Sequence, residues 1–164
     1  MSIGLRRYGL VAAVATLVLL PGSAFAANVL QAMDQAGAFS MFLKAVKIAG
    51  LKDMLSGEGP YTVFAPTDDA FTKLPKGMMK TMFDTENPDT KMKLKSLVDN
   101  HVLEGIVMAR DVKNRHLEAV TVVGGSLVVD GNRGFMVEGG KVTRADIAAD
   151  NGVVHVLDTV LVPR

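Results

Sequence analysis

Cysteine is absent from all 164 residues. Disulfides, thiolate metal sites and cysteine nucleophiles are therefore excluded together. An excess of charge is missing as well: the formal net charge is +1, and it becomes −1 once Arg6 and Arg7 are left out. Nothing in that balance asks for nucleic acid or an anionic membrane as partner. Lys91, Lys93 and Lys95 form the only basic cluster along the chain, and on a helix only Lys91 and Lys95 share a face, so a solvated surface explains them better than a polyanion site. Sequence signatures of catalysis are lacking too. There is no Gly-x-Ser-x-Gly elbow, phosphate-cradling loop or His-Glu-x-x-His motif, and the three histidines, at 101, 116 and 155, are dispersed. The expectation is a non-enzyme without a cofactor or metal.

Long apolar runs are also scarce. Gly9 to Leu20 is a stretch of 12 residues, short of the roughly 20 that span a bilayer, and Pro21-Gly22 interrupts it. Preceded by Arg6-Arg7 and followed by Ala24-Phe25-Ala26, it has the layout of a secretory signal cleaved after Ala26. The surroundings of the arginine pair match a twin-arginine signal poorly, which favours general secretion. Residues 1–26 are thus expected to be a removed leader and 27–164 one domain, secreted or periplasmic and free of a membrane span. With 49% hydrophobic residues over its 164 positions, the chain can fill a core without covalent staples.

The mature chain opens with helical patterns. Asn28 suits a cap for a short helix through Leu30 and Met33 that Gly37 stops, and Phe39, Phe42, Leu43 and Val46 recur at i, i+3, i+4 and i+7 before Gly50. Tyr61 to Ala65 reads as a short buried strand ended by Pro66, after which Thr67 or Asp68 can cap a helix carrying Ala70, Phe71 and Leu74. Two further helical pieces follow, separated at Asn87-Pro88, which suit an N-cap and first helical position; Leu94, Leu97 and Val98 give the second its apolar face. Beyond Gly105 the pattern alternates, with strand-like runs at 117–123, 126–129, 135–138 and 153–162 beside Gly124-Gly125, Asp130-Gly131 and Gly139-Gly140. Helices first and strands later indicate an α+β domain with helices along one side of a twisted sheet.

Two boxes stand out: Tyr61-Thr-Val-Phe-Ala-Pro-Thr-Asp-Asp-Ala-Phe71 and Asn151-Gly-Val-Val-His-Val-Leu-Asp-Thr-Val-Leu-Val-Pro163. Together with Gly37-Ala38-Phe39-Ser40, Leu74-Pro75-Lys76-Gly77, the stretch from Leu94 to Gly105, and Asp146-Ile147, they resemble a fasciclin domain over residues 36 to 164. The resemblance implies a wedge-shaped β-sandwich of about seven strands with helices packed alongside. It also implies a secreted or surface protein that mediates adhesion, of the small single-domain type that bacteria export. Thr67, Asp68, Phe71, Asn151, Gly152, His155 and Asp158 are its signature residues here.

Physically those residues read as structure before chemistry. Both faces of the 153–162 run are apolar, so it should be a central strand, and His155 on it is better explained by a buried hydrogen bond than as a metal ligand or general base. A helix cap explains Asp68 and Asp69 better than a metal or acid pair. Animal fasciclin domains associated with integrins carry Tyr-His where this chain has Asn100-His101, and an Asp-Ile pair at Asp146-Ile147. The missing tyrosine argues against integrin. His101, Asp146 and Ile147 are carried forward as candidate contacts for a protein, cell-surface or matrix partner, with loop positioning favoured for the last two. Met78, Met79 and Met82 offer thioethers that could hold Cu(I) or, more plausibly, line a groove for a small apolar ligand such as a lipid or carotenoid-like molecule. Adhesion leads, and a periplasmic carrier is the alternative.

Overall fold

The computed structural model describes residues 27–163, so the expected leader and its cleavage point lie outside the described residues. In chain order the elements are α1 (Val29–Ala36), α2 (Ser40–Ala49), α3 (Lys52–Ser56), β1 (Tyr61–Pro66), α4 (Asp68–Thr72), α5 (Met78–Met82), α6 (Thr90–Asp99), β2 (Val102–Glu104), α7 (Ala109–Val112), β3 (His116–Val120), β4 (Ser126–Asp130), β5 (Met136–Val137), β6 (Gly140–Ala149) and β7 (Gly152–Leu157). The strands form one seven-stranded sheet ordered β2-β1-β7-β6-β5-β4-β3, in which only β1 and β7 run parallel. A single bridge, Leu103 to Thr121, brings the two ends of the sheet together without closing a barrel. The expected α+β sheet with helices alongside is the architecture observed.

The first helices form for the reasons their sequences suggest. The Asn28 side chain accepts from the Gln31 amide at 3.0 Å, the Gln31 side chain accepts from the Asn28 amide, and left-handed Gly37 ends α1. The stripe of α2 buries Phe42 and Val46 under the sheet. At Asn87-Pro88 the expectation shifts: α6 starts at Thr90, and the Asn87 carboxamide accepts from the Asp89 amide in a turn ahead of the helix.

Strands β1 and β7 lie side by side inside the sheet, next to the edge strand β2, and are buried on both faces, which is why each reads as a nearly continuous apolar run. Val63, Ala65, Val154 and Val156 point toward the helices, where Val29, Met33, Phe42, Phe71, Leu94 and Val98 complete one core. Phe64 and Leu157 point the other way, into a second core with Leu103 of β2, Val112 of α7, and Leu127, Val129 and Val137 from the far half of the sheet. Each fully buried Phe or Leu contributes about 1.5–3 kcal/mol. The longest strand, β6, is missing from the sequence expectation, because its pattern of exposed and half-buried residues resembles a loop. Its register shifts between Arg144 and Ile147, leaving Ala145 and Asp146 opposite His155 alone. That bulge organises the polar residues described next.

Candidate functional site

The signature residues are occupied in holding the domain together. Asn151, buried between the helices and the sheet, accepts from the Val29 amide at 2.9 Å and donates to the carbonyls of Leu55 (2.8 Å) and Gly57 (2.7 Å). One carboxamide thus fastens the start of α1, the end of α3 and the turn into β7. Gly152 beside it has no room for a side chain, since a Cβ would lie 2.1 Å from the Tyr61 carbonyl oxygen. Thr67 caps α4 by accepting from the Ala70 amide at 3.2 Å. Asp68 is a cap as well, but of a different helix: its carboxylate accepts from the Ser40 and Met41 amides at 3.3 and 2.7 Å, at the start of α2. Phe71 is fully buried in the helix-side core.

At the other end of β7, Asp158 accepts from the Lys141 amide at 2.9 Å and from the Thr159 hydroxyl at 2.8 Å. Burial would raise this carboxyl, but those two hydrogen bonds and the charges of Lys73 and Lys141 outweigh it and hold the group below the ordinary carboxylate range.

Both buried histidines are structural and neutral. His155 Nε2 lies 2.7 Å from the Val107 carbonyl and Nδ1 accepts from the Asp146 amide at 3.1 Å, so the proton sits on Nε2. Phe64 and Phe135 flank the ring at 5.4 and 4.9 Å. Burial lowers its pKa, opposed by the Val107 hydrogen bond and the Asp146 charge.

His101 differs from its expectation as a peripheral contact, because it is fully buried. Its Nδ1 donates to the Leu97 carbonyl at 2.7 Å and Nε2 accepts from the Leu161 amide at 3.0 Å. Burial pushes it down to about 4, against the Leu97 hydrogen bond. The residue closes α6 and anchors the last segment of the chain, so it has no surface to offer a partner.

Asp146 and Ile147 also take positioning roles. Asp146 stands at φ 58° in the bulge, and its carboxylate accepts from the Ala109 amide at 2.9 Å, joining β6 to α7. Ile147 is half-buried against the helix-side core. Among the described residues no three His, Asp or Glu side chains gather as a metal-binding group. No helix among them is long and apolar enough to cross a membrane.

What remains open is an apolar groove. It has a volume of about 390 Å³ and lies between α5, α6 and the chain's last residues, lined chiefly by Met78, Met82, Met92, Leu97, Val162 and Pro163. Of the three expected methionines, Met78 and Met82 line it, one helical turn apart on α5; Met79 does not, and like Met82 it packs against the helix-side core. Sequence reasoning missed Met92 and Val162, which are 67% and 44% exposed. The isolated Met92 on the polar side of α6 was the available signal. Lys93, Thr81 and Ser96 supply the groove's polar atoms.

With this geometry established, comparison with known proteins places the chain. The fasciclin domain sequence model matches residues 37–163. A Synechocystis sp. protein, sll1483, is 40% identical over 132 residues, covering 76% of this chain and 67% of that protein. The cell surface glycolipoprotein MPB83 of Mycobacterium bovis is 36% identical over 114 residues, covering 69% of this chain and 48% of that protein. Among solved structures, a FAS1 domain pair from the insect cell adhesion molecule fasciclin I superposes with a TM-score of 0.72 at 21% identity, covering 84% of this chain and 51% of that one. This chain therefore spans about half the length of the latter two, and it belongs to the fasciclin domain family.

Proposed function

We propose that this protein is an exported, non-catalytic interaction module that attaches to a surface or matrix protein through the groove between α5 and α6. The apolar surface formed by the exposed Met92 and Val162 and the half-buried Met78 and Met82 carries this reading, on a domain whose signature polar residues are otherwise engaged internally. Contiguous exposed apolar surface marks binding sites, and flexible thioethers adapt to partners of varied shape. The relatives support the setting: one is a cell surface glycolipoprotein, and the insect protein is a cell adhesion molecule. Export rests on the Arg6 to Ala26 pattern, which places the mature N-terminus at Ala27.

The test compares unaltered mature protein with Met92→Lys and Val162→Glu in adherence to the envelope of the source cells, with circular dichroism as a check on the fold. Adherence lost with the fold intact supports the groove; adherence unchanged overturns it.

A carrier of a small apolar molecule is the second reading, favoured by the groove's size, which lies in the range of small-ligand sites, and by its mostly apolar lining. Mass spectrometry of protein purified from its native host separates the two. A stoichiometric lipid or pigment that disappears in Met92→Lys promotes the carrier.

A further inference from the structure

A second surface, independent of the apolar groove, brings the basic residues between Arg110 and His116 together with Arg133. The turn after α7 and the loop between β4 and β5 are stitched together: the Asn114 amide donates to the Gly131 carbonyl at 3.1 Å and the Gly131 amide to the Arg115 carbonyl at 2.7 Å. The approach requires glycine, because a Cβ on residue 131 would lie 1.9 Å from the Val112 carbonyl oxygen. Between these loops is a cleft of about 460 Å³ lined by Arg110, Lys113, Asn114, Asn132 and Phe135. Arg115, His116 and Arg133 are exposed beside it, and the charges of His116 and Arg133 reach Asp130.

The neighbouring acids are already committed. Asp111 accepts from the Met108 amide at 3.1 Å, and one oxygen of Asp130 accepts both Asn132 N–H groups, at 2.8 and 3.0 Å. Arg110 has only a long contact to Asp111, at 3.8 Å, and among the described residues no carboxylate comes within ion-pair distance of Lys113, Arg115 or Arg133. Lys113, with no carboxylate in ion-pair distance among the described residues, and Arg110, with only its long contact to Asp111, are therefore the charges most available to an anion.

We propose that this cleft binds an acidic glycan, with Arg110 and Lys113 on a uronate carboxylate and the half-buried Phe135 ring against the face of a sugar. Arginine matches a carboxylate with two parallel N–H bonds, and carboxamides can both donate to and accept from hydroxyls. Phe135 is held rigidly by edge-on contacts with Phe64 and His155 at 6.1 and 4.9 Å. A membrane headgroup layer fits less well, because none of the exposed large apolar side chains among the described residues lines the cleft, so nothing there would insert.

The experiment measures binding of the mature protein to oligogalacturonate, to its neutral methyl ester and to phosphatidylglycerol vesicles. The expected result is binding of the acid form, at least about tenfold weaker binding of the ester, and weakening with salt as screening shortens the field. Arg110→Glu combined with Lys113→Glu lowers affinity at least about tenfold, whereas Lys76→Glu combined with Lys80→Glu, the same charge change elsewhere, moves it less than about twofold. Equal binding of acid and ester, equal losses in the two double variants, or binding to vesicles alone would each overturn the proposal. The last would assign the cleft to a lipid phosphate.

Discussion

Nε2 of His101 accepts from the Leu161 amide at 3.0 Å, and this buried hydrogen bond helps tie the segment around Leu161 to the end of α6. The imidazole must be neutral to accept. Its pKa is about 4 in the fold against 6.5 ordinarily, so between those values the unfolded chain binds a proton that the fold does not. Stability is therefore complete above about pH 6.5 and is lost as pH falls toward 4, by about 3 kcal/mol for His101 alone. His155 is displaced in the same direction. Denaturant melts across pH 7 to 4 measure the loss, and His101→Gln should flatten the profile while lowering stability at pH 7.

Asn151→Ala removes three side-chain hydrogen bonds at once and leaves the Val29 amide and the Leu55 and Gly57 carbonyls unmatched. A loss of about 2–4 kcal/mol is expected from urea denaturation, with no change in groove binding beyond that caused by unfolding.

Asp68 and Asp69, adjacent and both acidic, should separate cleanly. Asp68→Ala removes the cap of α2 and costs about 1–2 kcal/mol. Asp69→Ala, whose carboxylate makes no hydrogen bond or ion pair among the described residues, stays within about 0.5 kcal/mol. Thermal melts with and without divalent metal check this, and a metal-dependent stability that both substitutions abolish would restore the metal pair.

Export carries its own check. The intact mass of protein recovered outside the cytoplasm should correspond to a chain starting at Ala27, and recovery of uncleaved chain integrated in the membrane would contradict the leader.

Local features were legible in the sequence, and features assembled from distant segments were not. Asn28, Gly37 and the α2 stripe announce helices because their partners lie within four residues. β7 was legible as central because both its faces are apolar. By contrast, Asp68 reads as the cap of the helix it begins, and its true partners, Ser40 and Met41, are 28 and 27 residues away. β6 was hidden by its polar alternation and its bulge at Asp146. The groove needs Met92 from α6 and Val162 from the last segment, and the basic cleft joins residues 109–114 to residues 131–135, while the alternating lysines of α6 drew attention instead.

In the proposed mode of attachment, Met78, Met82 and Met92 form the binding surface. Methyl NMR of methionine-labelled protein, titrated with envelope material to which it adheres, observes them directly. The account predicts that the Met78, Met82 and Met92 resonances shift or broaden while that of Met33, fully enclosed in the helix-side core, stays in place. Saturable adherence that leaves those three resonances unmoved would contradict it.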